Sequence, residues 1–199
     1  MTFSKFVVPD TILSIAPLMF SGWNRLQEIS ISASVKALSV VFSGNSALRK
    51  ITCANYMVRS LFKSISDSSE LYDDDTMYTV RQISGRNVNY YYIPKTLTEI
   101  HVIGDGETIE SDCFAGMSSL KSVYLPSSIL SFENGAFEGC SGLTDVHILT
   151  DYDWCYSMDY YTASDYGQVS KSTVNNPVAF ASALKTHNGS EYRWYAKRK

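Results

Sequence analysis

The sequence predicts a repeat solenoid, a coil of stacked turns in which each turn carries one short strand. Three observations predict it. Four segments obey the rule Phe-x-Gly-x-(Asn/Ser)-x-Leu: FSGWNRL (20–26), FSGNSAL (42–48), FAGMSSL (114–120) and FEGCSGL (137–143). Each continues into an alternating apolar run: LQEISI, LRKITC, LKSVYL and LTDVHI. The spacing is nearly the same, with 22 residues from Phe20 to Phe42 and 23 from Phe114 to Phe137. Further copies of the run stand at FSKFVVP (3–9) and LTEIHV (97–102).

The chain opens on FSKFVVP, the first strand, which Pro9 ends because proline lacks the donor a ladder needs. Nothing before it could act as a cap, so this strand edge is expected to be covered by more protein or by a second copy of the chain. The apolar start resembles a secretion signal, but Pro9 and Asp10 interrupt it and no small-x-small cleavage site follows. No cleaved signal is therefore expected. The chain either stays inside the cell or is one section of a longer exported protein. In the repeats, Leu120, Val123 and Leu125 are expected to point inward, while Ser122 and Tyr124 point outward with the two-residue strand period. Ile15, Ile109 and Phe132 each stand five residues before a Phe and are expected on the opposite wall. The glycines after each Phe (Gly22, Gly44, Gly116, Gly139) suggest positive φ, which is cheap only for glycine.

Two regions break the pattern. About 54–96 is an irregular insertion, in which 76–94 reads as a β-hairpin around a Gly-containing turn and the acidic 64–76 reads as a surface loop. The solenoid is thus assigned to 1–150. Residues 151–199 are assigned to a Tyr-rich C-terminal cap, with a short helix that starts at Asn176 and Pro177 and a strand near the end. Within it, Cys155 reads as loosely placed and His187 as a solvated residue at the helix end.

Composition excludes several classes. Hydrophobic residues make up 45% and charged residues 19%, enough to bury a core and unlike a disordered tail. A net charge of -3 argues against nucleic-acid binding, which calls for excess positive charge. No apolar run approaches the roughly 20 residues that span a bilayer, so no membrane insertion is expected.

SFENGAFEGCSGLTDVHI (131–148) and ETIESDCFAGMSSLKSVYLP (107–126) resemble the bacterial surface leucine-rich repeats of the BspA type. The resemblance covers about 3–52 and 97–148. It implies an α/β leucine-rich-repeat solenoid: a curved right-handed coil of about five to six turns with short parallel strands on the concave face. It also implies a secreted or cell-surface protein that binds host or matrix proteins.

No catalytic signature is present: GxSxG, HExxH, P-loop and GxGxxG are all absent, and the two SxxK matches lack companion motifs. No enzyme activity, cofactor or metal is expected. His101 and His147 take equivalent outward positions two strands apart, near 9.6 Å at about 4.8 Å per strand, too far for a shared zinc ion. Asp73, Asp74 and Asp75 lack the spacing of a calcium loop. The outward ladder is the candidate site, comprising Glu28, Lys50, Glu99, His101, Ser122, Tyr124, Asp145 and His147. Polar and aromatic side chains on such a face suit a protein partner, with solvated strand residues as the plain alternative. A glycan partner, stacked on Trp154, Tyr156, Tyr160 or Tyr161, ranks below it, since such a cluster more often roofs the last repeat. A spacer or assembly role, with self-association through the N-terminal end, is a further expectation. Cys53, Cys113 and Cys140 read as small core hydrophobes.

Overall fold

The computed structural model describes residues 3–36, 42, 44–58, 61–62, 64–65, 77–84, 87–158, 167–187, 189 and 191–197; for residues 55, 64–65, 77–84 and 87–92 it describes the backbone alone. The chain forms two compact units, Met1–Ile103 and Gly104–Lys199.

In the first unit, β1 (Lys5–Val7), β2 (Glu28–Ser30) and β3 (Lys50–Ala54) lie side by side and parallel. Phe6 pairs with Ile29 and Ile29 with Ile51. The repeat rule makes this arrangement: Leu26, Ile29, Ile31, Leu48 and Ile51 fall on one side of consecutive turns and are almost completely buried. Each such side chain contributes about 1.5–3 kcal/mol by leaving water. A single 3-10 turn (Asn55–Met57) then leads into the insertion. There β4 (Ser64–Ile65), β5 (Met77–Ser84) and β6 (Asn87–Pro94) form an antiparallel sheet with β6 in the middle. The expected hairpin is β5–β6. The expected loop over 64–76 is corrected at its start, because the backbone of Ser64 and Ile65 pairs with Tyr91 and Tyr90. The rest of that segment, with Asp73–Asp75, lies outside the described residues. The chain returns as β7 (Glu99–Ile103), parallel to β3 with Ile51 opposite Ile100. The insertion is therefore one expanded turn.

Phe20 stacks on Phe42 at 5.9 Å and Phe42 on Phe62 at 6.1 Å, with a parallel bridge between Phe42 and Phe62. Phe62 thus takes the repeat's Phe position without the Gly that marks it elsewhere.

In the second unit, β8 (Thr108–Ile109), β9 (Ser122–Tyr124), β10 (Ser131–Phe132) and β11 (Asp145–His147) belong to two turns. β9 pairs with β11 in parallel, as does β8 with β10 on the opposite wall, where Ile109 and Phe132 are buried as expected. β12 (Asp153–Ser157), β13 (Gly167–Val169), α1 (Lys171–Val174), α2 (Pro177–Thr186) and β14 (Arg193–Lys197) follow. β14 joins β10 antiparallel, and β12 and β13 extend this wall beyond it. The Asn176 side chain caps α2 by accepting from the Ala179 N–H at 3.1 Å, a contact worth about 1 kcal/mol. α2 lies against β11 and turns Phe180, Ala181 and Leu184 inward.

Two polar details recur from turn to turn. Gly22, Gly44, Gly116 and Gly139 all have φ between +67° and +75°. After Gly44 and Gly139 the next residue reaches back to the preceding turn. Buried Asn45 donates Nδ2–H to the Phe20 carbonyl at 2.7 Å, and Cys140 donates its thiol to the Phe114 carbonyl at 3.1 Å.

Candidate functional site on the outward ladder

Strand alternation that buries Ile29, Ile51 and Ile100 turns Glu28, Lys50, Glu99 and His101 outward. In the first unit these charges engage one another. Glu28 binds Lys5 Nζ at 2.9 Å and Arg49 Nη2 at 2.9 Å. Glu99 binds Lys50 Nζ at 2.8 Å and His101 Nε2 at 2.6 Å. The hydrogen bond from Lys5 holds the Glu28 carboxyl below its ordinary pKa against a small burial effect. At Glu99 burial pushes upward, but the hydrogen bonds and charges of Lys50 and His101 outweigh it, so its pKa is also lowered.

The second unit brings together Ser122, Tyr124, Asp145 and His147. The Tyr124 and His147 rings stack at 4.1 Å with only 2° between their planes. His147 Nε2 lies 2.8 Å from Asp145 Oδ1, and Thr144 Oγ1 donates to Asp145 Oδ2 at 2.8 Å. Burial pushes the Asp145 pKa up, whereas hydrogen bonds from Thr144, Ser122 and His147 bring it down further. A carboxylate only accepts, so the proton of neutral His147 resides on Nε2 and its Nδ1 presents a lone pair. The outcome is a fixed arrangement of one phenol, one imidazole and one carboxylate on two adjacent strands.

Sequence reasoning placed all these side chains outward but did not pair them. The signal was present: Glu99-Ile100-His101 and Asp145-Val146-His147 share an acid-x-His spacing, which sets both groups on the same strand face. Arg49 was missed because it lies one residue before the strand and reaches diagonally to Glu28.

Among the C-terminal residues, Trp154 goes against the lower-ranked glycan reading, and the readings of His187 and Cys155 are corrected. Trp154 is fully buried, packed on Phe132 at 4.7 Å and Phe180 at 5.8 Å, so it offers no platform to a sugar ring. Tyr160 and Tyr161 lie outside the described residues. His187 is not a solvated helix end: it stacks on Tyr156 at 4.0 Å, meets Tyr192 at 5.4 Å, and its carbonyl accepts from Trp194 Nε1 at 2.9 Å. Cys155 is not loosely placed: it is completely buried beside equally buried Trp154, so both faces of β12 are covered at that point. Among the described residues, no group of three or more His, Cys, Asp or Glu could hold a metal ion, and no helix is long and apolar enough to cross a membrane.

The sequence pattern of the BspA-type leucine-rich repeat region matches residues 1–101 and 86–179, in six copies. The chain belongs to this family. Solved structures of leucine-rich repeat proteins resemble parts of it at low identity. A leucine-rich cell surface protein of Faecalibacterium prausnitzii is 17% identical, with 73% of this chain and 32% of that chain covered and a TM-score of 0.41. A leucine-rich repeat protein of Bacteroides ovatus is 19% identical, covering 72% and 37% with a TM-score of 0.39. The leucine-rich repeat protein of T. pallidum is 20% identical, covering 74% and 59% with a TM-score of 0.35. The chain thus spans about a third of the length of the first two and 59% of the third. No curated protein matches the chain. As a BspA-type repeat module, it carries its outward groups at fixed strand positions, so their spacing is inherited from the ladder.

Proposed function

We propose that this repeat module is a non-enzymatic protein-binding element of a bacterial surface or secreted protein, which uses its outward strand face for recognition or adhesion. The observation that carries this reading is the Tyr124–His147 stack with His147 tied to Asp145. Rings fixed in this way lose little freedom when a partner arrives, so less ordering entropy opposes binding. The phenol, imidazole and carboxylate offer donors and acceptors to a polar protein surface around an aromatic centre, the composition that dominates interface energy.

A second reading is a structural spacer. It draws support from the first unit, where Glu28 and Glu99 are already engaged by Lys5, Arg49, Lys50 and His101. One experiment separates the two. The purified chain is tested for surface binding to matrix proteins, mucin and common glycans beside the Tyr124→Ala/His147→Ala variant, with the fold checked by circular dichroism. Saturable binding to a protein, lost in the folded variant, is expected. Binding unchanged by the double substitution, or none at all, would refute recognition through this face.

A further inference from the structure

The outward ladder offsets its charges in the first unit and leaves one over in the second. The first outward position of successive strands in the first unit is held by Lys5, Glu28, Lys50 and Glu99, and the register sets each beside the next. Lysine and glutamate alternate, so each carboxylate finds an ammonium group within 2.9 Å. In the second unit the same position holds Ser122 and Asp145, again side by side. Serine stands where the alternation calls for lysine. Among the described residues no Lys or Arg pairs with Asp145.

Asp145 is nevertheless a charged group within reach. Burial pushes its pKa up, but the hydrogen bonds of Thr144, Ser122 and His147 bring it below the ordinary carboxylate value. These donors take three of the roughly four lone-pair sites of a carboxylate, which leaves room for a further donor. The Asp145 and His147 side chains are 22% and 36% exposed, so that donor can come from outside. An anionic group would meet a negative charge there, with no cation to offset it. The chemistry called for is a cation, and beside it stand the stacked rings of Tyr124 and His147.

We infer that, if this face recognises a protein as proposed above, the partner sets an arginine side chain against Asp145 and the Tyr124–His147 stack. A guanidinium supplies the charge that Lys5 and Lys50 supply in the first unit. It is planar, carries several N–H donors and lies well on aromatic rings, so it meets the carboxylate and the rings together. An ammonium group is a compact, strongly hydrated point charge, and it matches the carboxylate alone. The receiving groups need no rearrangement, since the ring stack and the His147–Asp145 bond already hold them in place.

The test is titration of the whole chain with two peptides of equal length and charge, one alternating Gly and Arg, the other Gly and Lys. It is followed by the NMR ring signals of Tyr124 and His147 at about pH 8, where an imidazole is ordinarily neutral. The arginine peptide is expected to shift both ring signals and to bind more tightly than the lysine peptide. Asp145→Asn and Ser122→Lys, each checked for fold by circular dichroism, should weaken it about three- to tenfold, as loss of an exposed charge-assisted contact does. Ser122→Lys copies the Lys50–Glu99 pair and so fills the place from within. Glu110→Gln, next to β8 on the opposite wall, alters net charge by the same amount and should leave the affinity unchanged. Equal binding of the two peptides, equal weakening by all three substitutions, or unmoved ring signals would each overturn the inference. A matrix protein whose binding is lost in Tyr124→Ala/His147→Ala but kept in Asp145→Asn and Ser122→Lys would also overturn it, while recognition through this face would stand.

Discussion

Replacing Gly142 by alanine tests how tightly two successive turns are stacked. A Cβ built at Gly142 would overlap the Ser118 carbonyl oxygen and would lie 3.2 Å from that of Leu120 and 3.3 Å from the Ser118 carbonyl carbon. All three are backbone atoms, so no side-chain rotation relieves the overlap and the two turns must separate. Overpacking of a well-packed site costs about 1–3 kcal/mol, and a rigid backbone obstacle places Gly142→Ala near the top, at about 3 kcal/mol. Gly22→Ala provides the control. Its backbone φ is +72° and its Cβ meets nothing within 4 Å, so only the left-handed backbone penalty of about 1–2 kcal/mol remains. For a chain of this length each kcal/mol shifts Tm by about 2–4 °C, so losses of roughly 6–12 °C and 2–8 °C are expected by thermal denaturation. Equal losses, or a milder effect at Gly142, would refute the argument that the carbonyl of Ser118 sets the spacing. The equivalent residues Ser119, Ala47 and Arg25 carry side chains, so among these four turns the close approach belongs to this one.

Two further outcomes are expected. Asn45→Ala leaves the Phe20 carbonyl without the 2.7 Å donor and costs about 1–3 kcal/mol in urea denaturation, while Asn45→Cys, which copies Cys140, recovers part of the loss. Acid lowers stability through Glu99 and Asp145. Both folded pKa values lie below the unfolded values near 4.5 and 3.8, so the stabilisation is complete above those values and drains as pH falls through the folded ones. Each partly exposed group contributes about 0–1 kcal/mol after solvent screening. Glu138 acts with the opposite sign, since burial, then Asp112 and Glu191, raise its pKa. Denaturation midpoints at neutral and acid pH, with Glu99→Gln and Asp145→Asn, should show a shallower acid loss in the variants.

The parts of the fold that repeat were legible, because a strand period of two and a turn length of 22 or 23 leave direct marks in the sequence. Leu120, Val123 and Ile109 are buried where the pattern put them, and the glycine after each Phe has positive φ. A second left-handed position escaped notice. Leu18, Asp112 and Gly135 each stand two residues before a Phe, with φ of +58°, +56° and +65°. Only one of the three is glycine, so the usual signal was hidden by residues that bear the strain. The non-repeating parts were less legible. β14 is the strand expected near the end, whereas β12 owes its existence to pairing with β13 and β14, a long-range match that local sequence does not announce. His187 looked exposed because helix ends usually are, and its three aromatic neighbours come from Tyr156, Tyr192 and Trp194, on β12, just before β14 and on β14. The candidate site was half legible: alternation fixed which side chains face outward, while their pairing depended on rotamers.

All four cysteines are buried thiols: Cys53 in the first unit, and Cys113, Cys140 and Cys155 in the second. A thiol reacts with an alkylating reagent only as a thiolate in contact with solvent, so each of these reacts only while the structure around it is open. The chain therefore carries four internal clocks. Their labelling rates would report, turn by turn, how often the solenoid breathes, with Cys53 timing the first unit and Cys140 the turn that Gly142 holds against its neighbour.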